Sequence, residues 1–565
     1  MFRIRTIALT LTFLTFFSVA CGGKPEADLV LFNGKIATVD SEFSIHEAVA
    51  VSGDRIVFVG NKDGVAPYIG HRTEVIELDG KLVLPGLIDA HAHMHNLGEE
   101  LSNLDISGTT SFQQIVDRVA ERAKEIEPGE WIFGGRWDQN DWEEKVFPEH
   151  EALSAVSPDN PVFLRRVDGN SAFVNQKALD IAGITNDTPD PFGGVIHRKP
   201  SGEPSGVLIN KAMNLAKDKF PAETDAAYSV KLLKAVESSL EKGLTGWHEA
   251  GVSPQEIGLY KSLIDEGRLH MRAYAMLGAQ EAALLEGSAE EIAEYFKEQR
   301  IEDYRGTMLS VRSIKLFFDG ALGSRGAAFF EPYADDPENR GLLRVTPEYI
   351  TKISQAALMA DMGVNTHCIG IRGNRLCLDS YEKAFLALPK TDHRFRIEHS
   401  QFVRDEDIAK FAELGVVPAM QPTHCTSDMR MVPARVGMER AEGAYAWRSF
   451  LDAGMLIPCG SDFPVESNDP MLGIYAAVTR QDTSGHPEGG WFPEQRMTIE
   501  EAIKGFTIWA AYGAFQEEIL GSIEVGKKAD FTVLDKDILT IGPQEIPTAR
   551  AVYTIVGGKV RYSRE

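Results

Sequence analysis

Two patterns of hydrophobic and polar positions divide the chain. Over residues 28–82 apolar and polar residues alternate in short runs such as "ADLVLFNGKIATVD" and "AVAVSGDRIVFVG". Asn33-Gly34 and Gly53-Asp54 mark turns between them, so this stretch predicts β-strands. The C-terminal stretch 516–565 repeats the pattern in "KADFTVLDKD" and "AVYTIVGGKVRY". Each end is too small to bury a core alone. Pairing the two into one small composite β-sandwich is the simplest solution.

Between the ends, Val/Ile/Leu-rich runs alternate with helical stretches such as "DAAYSVKLLKAVESSLEKG" and "DEDIAKFAELG". Eight strand-like runs fall at 82–90, 244–248, 271–276, 313–318, 364–367, 395–399, 416–420 and 456–461. Eight βα units predict an α/β fold, a TIM (β/α)8 barrel over 83–515. An open doubly wound sheet is the alternative, but no GxGxxG turn follows the first strand. The first and second runs are too far apart for an ordinary connection, which predicts an inserted subdomain over about 105–225.

The first twenty residues stand apart. Arg3 and Arg5 precede an apolar run that ends in Ser18-Val19-Ala20-Cys21. That run is shorter than the ~20 residues of a membrane span and reads as an export signal. A cysteine after a small residue resembles the bacterial lipobox. On that reading Cys21 is lipidated, residues 21–27 are a tether, and the protein is anchored in the bacterial cell envelope. Plain cleavage after Ala20, leaving Cys21 as a free thiol, is the alternative.

Charge then narrows the partners. The 565 residues carry 83 Asp and Glu against 58 Lys and Arg, a formal net charge of −25. Nucleic acid binding needs clustered cations and is excluded as a function. A small-molecule substrate is expected, with membrane contact only through the anchor; a homodimer is left open. Five cysteines in this length make no disulfide framework.

Candidate chemistry sits at strand ends, where barrel enzymes build their sites. Asp89-Ala90-His91-Ala92-His93 closes the first run. Residues i and i+2 of a strand share a face about 6.6 Å apart, so His91 and His93 can reach one metal ion. Two exposed loop histidines are the alternative. His367, His399 and Asp462 end three further strands. Packing alone does not explain that coincidence, and four histidines with a carboxylate suit one or two zinc or similar divalent ions. Lys315 lies in the apolar run "RSIKLFFDG". Burial there lowers a lysine's pKa, and a neutral amine can take up carbon dioxide as a carbamate. A buried stem with its head in water is the simpler reading from the residues alone. His248, Asp319, Arg325 and His424 follow or end strands and are candidate substrate-binding residues, and Trp137 and Trp142 in the insertion are candidate covers for the mouth; insertion core for the tryptophans and a loop salt bridge for Arg325 are the alternatives.

The motifs "LVLPGLIDAHAHMH", "IKLFFDGALGSRGA", "RIEHSQ", "GSDFPV" and "LGSIEVGKKADFTVLD", taken in order, resemble the amidohydrolase superfamily. "WIFGGRWDQNDW", "SPDNPVFLRRVDGNSAFVNQKALDIAGIT" and "GEPSGVL" resemble the insertion of its YtcJ-like branch, amidohydrolase family 3. The resemblance implies a barrel with a composite β-sandwich. It implies His91, His93 and Asp462 at one metal, and Lys315, as a carbamate, bridging to a second held by His367 and His399. Two motifs depart from the branch: the stretch after His367 reads Cys368-Ile369-Gly370-Ile371-Arg372, without the usual Asp, and the insertion reads Asp168-Gly169-Asn170 where a His is usual.

The expectation is a hydrolase that cleaves a non-peptide amide, formamide or cyclic amide C–N bond, with Asp462 as proton acceptor and donor. Ester or lactone hydrolysis and deamination on the same site are alternatives within the class. A non-catalytic small-molecule-binding lipoprotein is the alternative outside it, and it predicts a damaged ligand set.

Overall fold

The computed structural model describes residues 26–167, 169–279 and 287–564. The expected export signal, Cys21 and Asp168 lie outside the described residues. Of the expected tether, Ala27 already belongs to the fold: it is buried, and its N–H donates to the Tyr68 carbonyl at 2.8 Å.

The two ends of the chain build one sheet. Its eight strands include Leu29–Ala37, Ile45–Ser52, Arg55–Gly60 and Leu82–Pro85 from the N-terminal side, and Phe531–Leu534, Ala551–Val556 and Lys559–Ser563 from the C-terminal side. The halves meet where Leu82–Pro85 runs antiparallel to Phe531–Leu534, with Val83 opposite Val533. Leu31, Ile36, Val49 and Val83 from one half share an apolar core with Phe531, Val533 and Ile555 from the other. Neither half buries these side chains without its partner.

Seven parallel strands form the barrel wall in the order Leu87–Ala92, Leu244–Val252, Arg272–Gly278, Leu309–Phe317, Gly363–Cys368, Arg396–His399 and Val417–Ala419. The single run expected at 82–90 is two strands. Gly86 breaks it: its N–H bonds the Asp530 carbonyl of the terminal sheet, and a Cβ there would lie 2.2 Å from Thr245 Oγ1. Leu82–Pro85 therefore serves the sheet and Leu87–Ala92 the barrel.

The eighth run closes the wall without becoming a regular strand. Met420 N–H bonds Pro458 O and Gly460 N–H bonds Met420 O on one side; Ala90 N–H bonds Cys459 O and Asp462 N–H bonds His91 O on the other. Pro458 has no N–H to give, which interrupts the ladder. The barrel is thus a (β/α)8 barrel of seven strands and one extended segment.

Between the first and second barrel strands the chain builds its own six-stranded sheet, from Leu104–Asp105 to Pro204–Asn210. Its core holds Trp137, Trp142, Leu164 and Phe173.

A candidate metal centre at the barrel mouth

The six ligand candidates are delivered by four barrel strands or their exits and by the closing segment. His91 and His93 flank the end of Leu87–Ala92, Lys315 lies on Leu309–Phe317, His367 on Gly363–Cys368, His399 ends Arg396–His399, and Asp462 leaves the closing segment. The structure brings all six together. Asp462 Oδ1 lies 3.2 Å from His93 Nε2 and 3.6 Å from His91 Nε2. Donor atoms of His91, His399 and Asp462 all fall within 4.8 Å of one another, the spacing of a shared ion. The His367 and His399 ring centres are 4.4 Å apart, and those of His91 and His399 are 4.8 Å apart. His424 joins the group, its Nε2 3.7 Å from Asp462 Oδ2.

Lys315 does not reach water. It is 1% exposed, and its Nζ sits 3.4 Å from His91 Nε2. The simpler expectation, a buried stem with a solvated head, therefore fails. Burial pushes its pKa down to about 8.

Backbone geometry explains how neighbouring residues can both face the centre. Arg396 and Glu398 share the inward face by strand alternation, so His399 should point outward. His399 instead has φ +77°, followed by Ser400 at +44°, and this left-handed turn swings its imidazole back in. Asp462, at φ +60°, is turned in the same way. Non-glycine residues hold such conformations only where the surroundings enforce them, and functional sites are where they cluster.

The contacts behind the ligands set their orientation. His91 Nδ1 donates to Glu398 Oε2 at 2.5 Å, which leaves Nε2 as the lone-pair atom facing the centre. Glu398 is held in turn by Arg396, with Nε–Oε1 at 2.8 Å and Nη2–Oε2 at 3.1 Å, and neither side chain is exposed. Burial opposes ionisation of Glu398, but Arg396 and His91 hold its carboxyl well below the usual range. His399 Nδ1 meets Gln421 Oε1 at 2.8 Å. Glu249 accepts from the Met94 N–H and the Trp247 indole and lies 3.9 Å from His93 Nδ1. Asp89 bonds the His91 N–H and the Ser461 hydroxyl, tying the first strand to the closing segment. None of these partners was assigned a role from sequence. The one signal present was Arg396-Ile397-Glu398 at period two in "RIEHSQ".

Of the five expected substrate-binding residues, only His424 lies beside the centre with a free donor or acceptor. Trp137 is 1% exposed in the insertion core, and its indole N–H is satisfied by Leu164 O at 2.8 Å, so it presents nothing to the mouth. His248 is buried inside the barrel, below the ligands. Its Nδ1 accepts from Arg396 Nη1 at 3.0 Å, and its ring packs on Tyr274. Asp319 accepts the N–H groups of Ala328, Ile369 and Gly370, which makes it a loop anchor; its Oδ1 is 3.7 Å from His367 Nε2. Arg325 forms a two-point ion pair with Asp335 at 3.1 and 3.0 Å and is thereby spent in its own loop.

The model of the amidohydrolase family matches residues 74–562. The chain belongs to this family. It is 31% identical to the putative amidohydrolase YtcJ of Bacillus subtilis, over 94% of this chain and 98% of that one. It is 29% identical to the N-substituted formamide deformylase of Arthrobacter pascens, over 95% and 98% of the two chains. An uncharacterized metal-dependent hydrolase from Pyrococcus furiosus superposes with a TM-score of 0.74 at 28% identity, covering 91% of this chain and all of that one.

This amidohydrolase is a metal-dependent hydrolase, and its own atoms fit a metal. Burial and the charge of Lys315 push His91 down to about 4 and His367 to about 3, so both are neutral donors. Burial resists ionisation of Asp462, but its surroundings, with His93 hydrogen-bonded to it, hold its carboxyl well below the usual range. His367 Nε2 and His424 Nε2 are buried without a hydrogen-bond partner among the described residues. Lone pairs left bare in this way are costly unless a cation takes them. His91, His93, His367, His399, Lys315 and Asp462 would hold it.

Proposed function

We propose that the protein hydrolyses a C–N bond of a non-peptide amide, formamide or cyclic amide. The observation that carries this reading is Asp462. Its Oδ1 stands between His91 and His93, 3.2 Å from His93 Nε2, and its Oδ2 faces His424. When bound, one or two divalent ions, zinc by the character of the donors, polarise a carbonyl and lower the pKa of water toward ~7. Asp462 then accepts the proton of the attacking water and delivers it to the leaving nitrogen. His424 Nε2 is placed to hydrogen-bond the developing oxyanion or Asp462 itself. The name of the Arthrobacter pascens relative, at 29% identity over nearly the whole chain, supports an N-substituted formamide as the first substrate to test.

Lys315 is proposed to be a carbamate. Its free amine adds to carbon dioxide, a C–N bond forms and a proton leaves, giving an anionic oxygen donor beside His91. The buried amine with its lowered pKa supports this, because the neutral form is the one that reacts.

Asp462→Asn tests the mechanism. It keeps the size of the side chain and an oxygen donor but cannot accept the proton. With a formamide found by screening N-formyl amines, kcat is expected to fall at least ~10²-fold with KM little changed and metal content largely retained. Full metal with a near-normal kcat refutes the assignment.

A further inference from the structure

The N-terminal end of the fold lies at the base of the barrel, away from the metal centre. The Ala27 N–H bonds Tyr68 O at 2.8 Å, and Asp28 accepts the Gly53 N–H at 2.6 Å. Gly53 packs in turn against the turn Gly557-Gly558, where a Cβ on Gly558 would lie 2.5 Å from Gly53 O. The Gly557 N–H bonds Asp530 Oδ1 at 2.7 Å, and Asp530 is paired with Arg272, the first residue of Arg272–Gly278. Gly278, at the far end of that strand, sits opposite Lys315. Six residues of strand, about 20 Å, thus separate this level of the molecule from the ligands.

Cations gather at the base. Lys559 follows the turn, and Arg561, two residues on, shares its face of the strand Lys559–Ser563. Neither side chain has a hydrogen bond or ion pair among the described residues, and Arg561 Nε is buried without an acceptor. Both act on His270, two residues before Arg272. Burial, then Arg561 and Lys559, hold the His270 pKa below its ordinary value against the opposing pull of Gly267 O and Glu237. Beside Ala27, the Arg72 side chain is 89% exposed, with Ile69 and His71 exposed next to it. A chain of net charge −25 has acids to spare for ion pairs, yet it leaves Lys559 and Arg561 without one.

We propose that this basal face rests on the anionic headgroups of the bilayer that holds a lipidated Cys21, so that the barrel mouth opens away from the membrane. The proposal rests on the reading of residues 1–21 as an export signal ending in a lipidated cysteine. Five residues from Cys21 to Glu26 span at most about 18 Å, so an anchor at Cys21 keeps Ala27 and the residues around it close to the surface. An anionic surface favours contact about fivefold for each Lys or Arg beside it. Charges beyond about 8–10 Å are screened at physiological salt, so the distant acids of the chain do not cancel this attraction. The consequence for the reaction is a substrate that reaches the metal centre from the aqueous side, as a soluble molecule.

The test is amide hydrogen exchange, read by mass spectrometry, on the protein purified from its cell envelope and bound to vesicles. Residues 66–73 and 557–561 are expected to exchange at least ~3-fold more slowly on phosphatidylcholine/phosphatidylglycerol vesicles than on phosphatidylcholine alone. Residues 320–345, in the loop after Leu309–Phe317 at the mouth, should be unchanged. Lys559→Gln/Arg561→Gln should lose the protection, and Lys559→Arg/Arg561→Lys, which keeps both charges, should retain it. Equal exchange on the two kinds of vesicle, or protection at 320–345 instead, overturns the proposal. A dimer in sedimentation that Lys559→Gln/Arg561→Gln dissociates would assign the face to a second copy and overturns it as well. The N-terminal mass shows separately whether Cys21 carries lipid. If it does not, the anchor reading fails, and coupling the Cys21 thiol to a maleimide lipid still decides the face, because Cys368, Cys377, Cys425 and Cys459 are buried.

Discussion

Glu398→Leu is the perturbation that separates the metal centre from the scaffold beneath it. In the native protein Glu398 accepts from His91 Nδ1 at 2.5 Å and pairs with Arg396 at 2.8 Å, and all of this is buried. Leucine removes both contacts at similar volume. Arg396 is then a fully buried cation without its counter-charge, which costs about 3–5 kcal/mol. His91 loses the acceptor that fixes its ring, and removing such a partner weakens metal binding by about 10–100-fold. The two losses have different cures. In Arg396→Met/Glu398→Leu no buried charge is left unpaired, so most of the stability should return. Metal affinity should not return, since His91 Nδ1–H still has no acceptor. The assays are denaturant unfolding of the metal-free protein and zinc affinity by competition with a chelator. Wild-type zinc affinity in Glu398→Leu refutes the orienting role. Recovery of affinity in the double variant would assign the single variant's loss to the stranded Arg396 charge instead.

Three further outcomes are expected. Lys315→Ala should lose metal, measured by elemental analysis, and regain part of it with added short carboxylates; Lys315→Arg should fail as well, because a guanidinium forms no carbamate. Trp137→Ala should destabilise the insertion by about 3–5 kcal/mol in denaturant unfolding while leaving kcat unchanged; a kcat defect without destabilisation would return Trp137 to the active site. Cys21→Ser should move the protein from the membrane fraction to the soluble one, and equal solubility of both forms sinks the proposed anchor.

The legible part of the site was the part that follows strand period. His91 and His93 at i and i+2, and single ligands closing later strands, could be read because each type of residue stood at the end of an apolar run. Glu398 stayed hidden because alternation assigns one face to Glu398 and the other to His399. Only the left-handed turn at His399 lets both serve the centre, and no local residue signals it. Trp137 was misplaced for a different reason. An aromatic in an insertion reads the same whether it covers a mouth or fills a core, and burial decides. Gly86 shows the same limit for boundaries: apolar residues run on from Leu82 to Ile88 on both sides of Pro85-Gly86, and the close approach of Thr245 at Gly86 marks where the run divides between two domains.

The pairing of Leu82–Pro85 with Phe531–Leu534 sets the order in which the protein can be finished. Roughly 450 residues separate these partners, about 20–90 s of synthesis at ~5–20 residues per second. Through that interval the N-terminal strands present Val83 and an open hydrogen-bonding edge with nothing to cover them. A chaperone that shields this edge would act early and leave late. A ribosome that stops between Asp462 and Phe531 leaves a chain whose barrel wall is complete but whose first sheet is permanently half made.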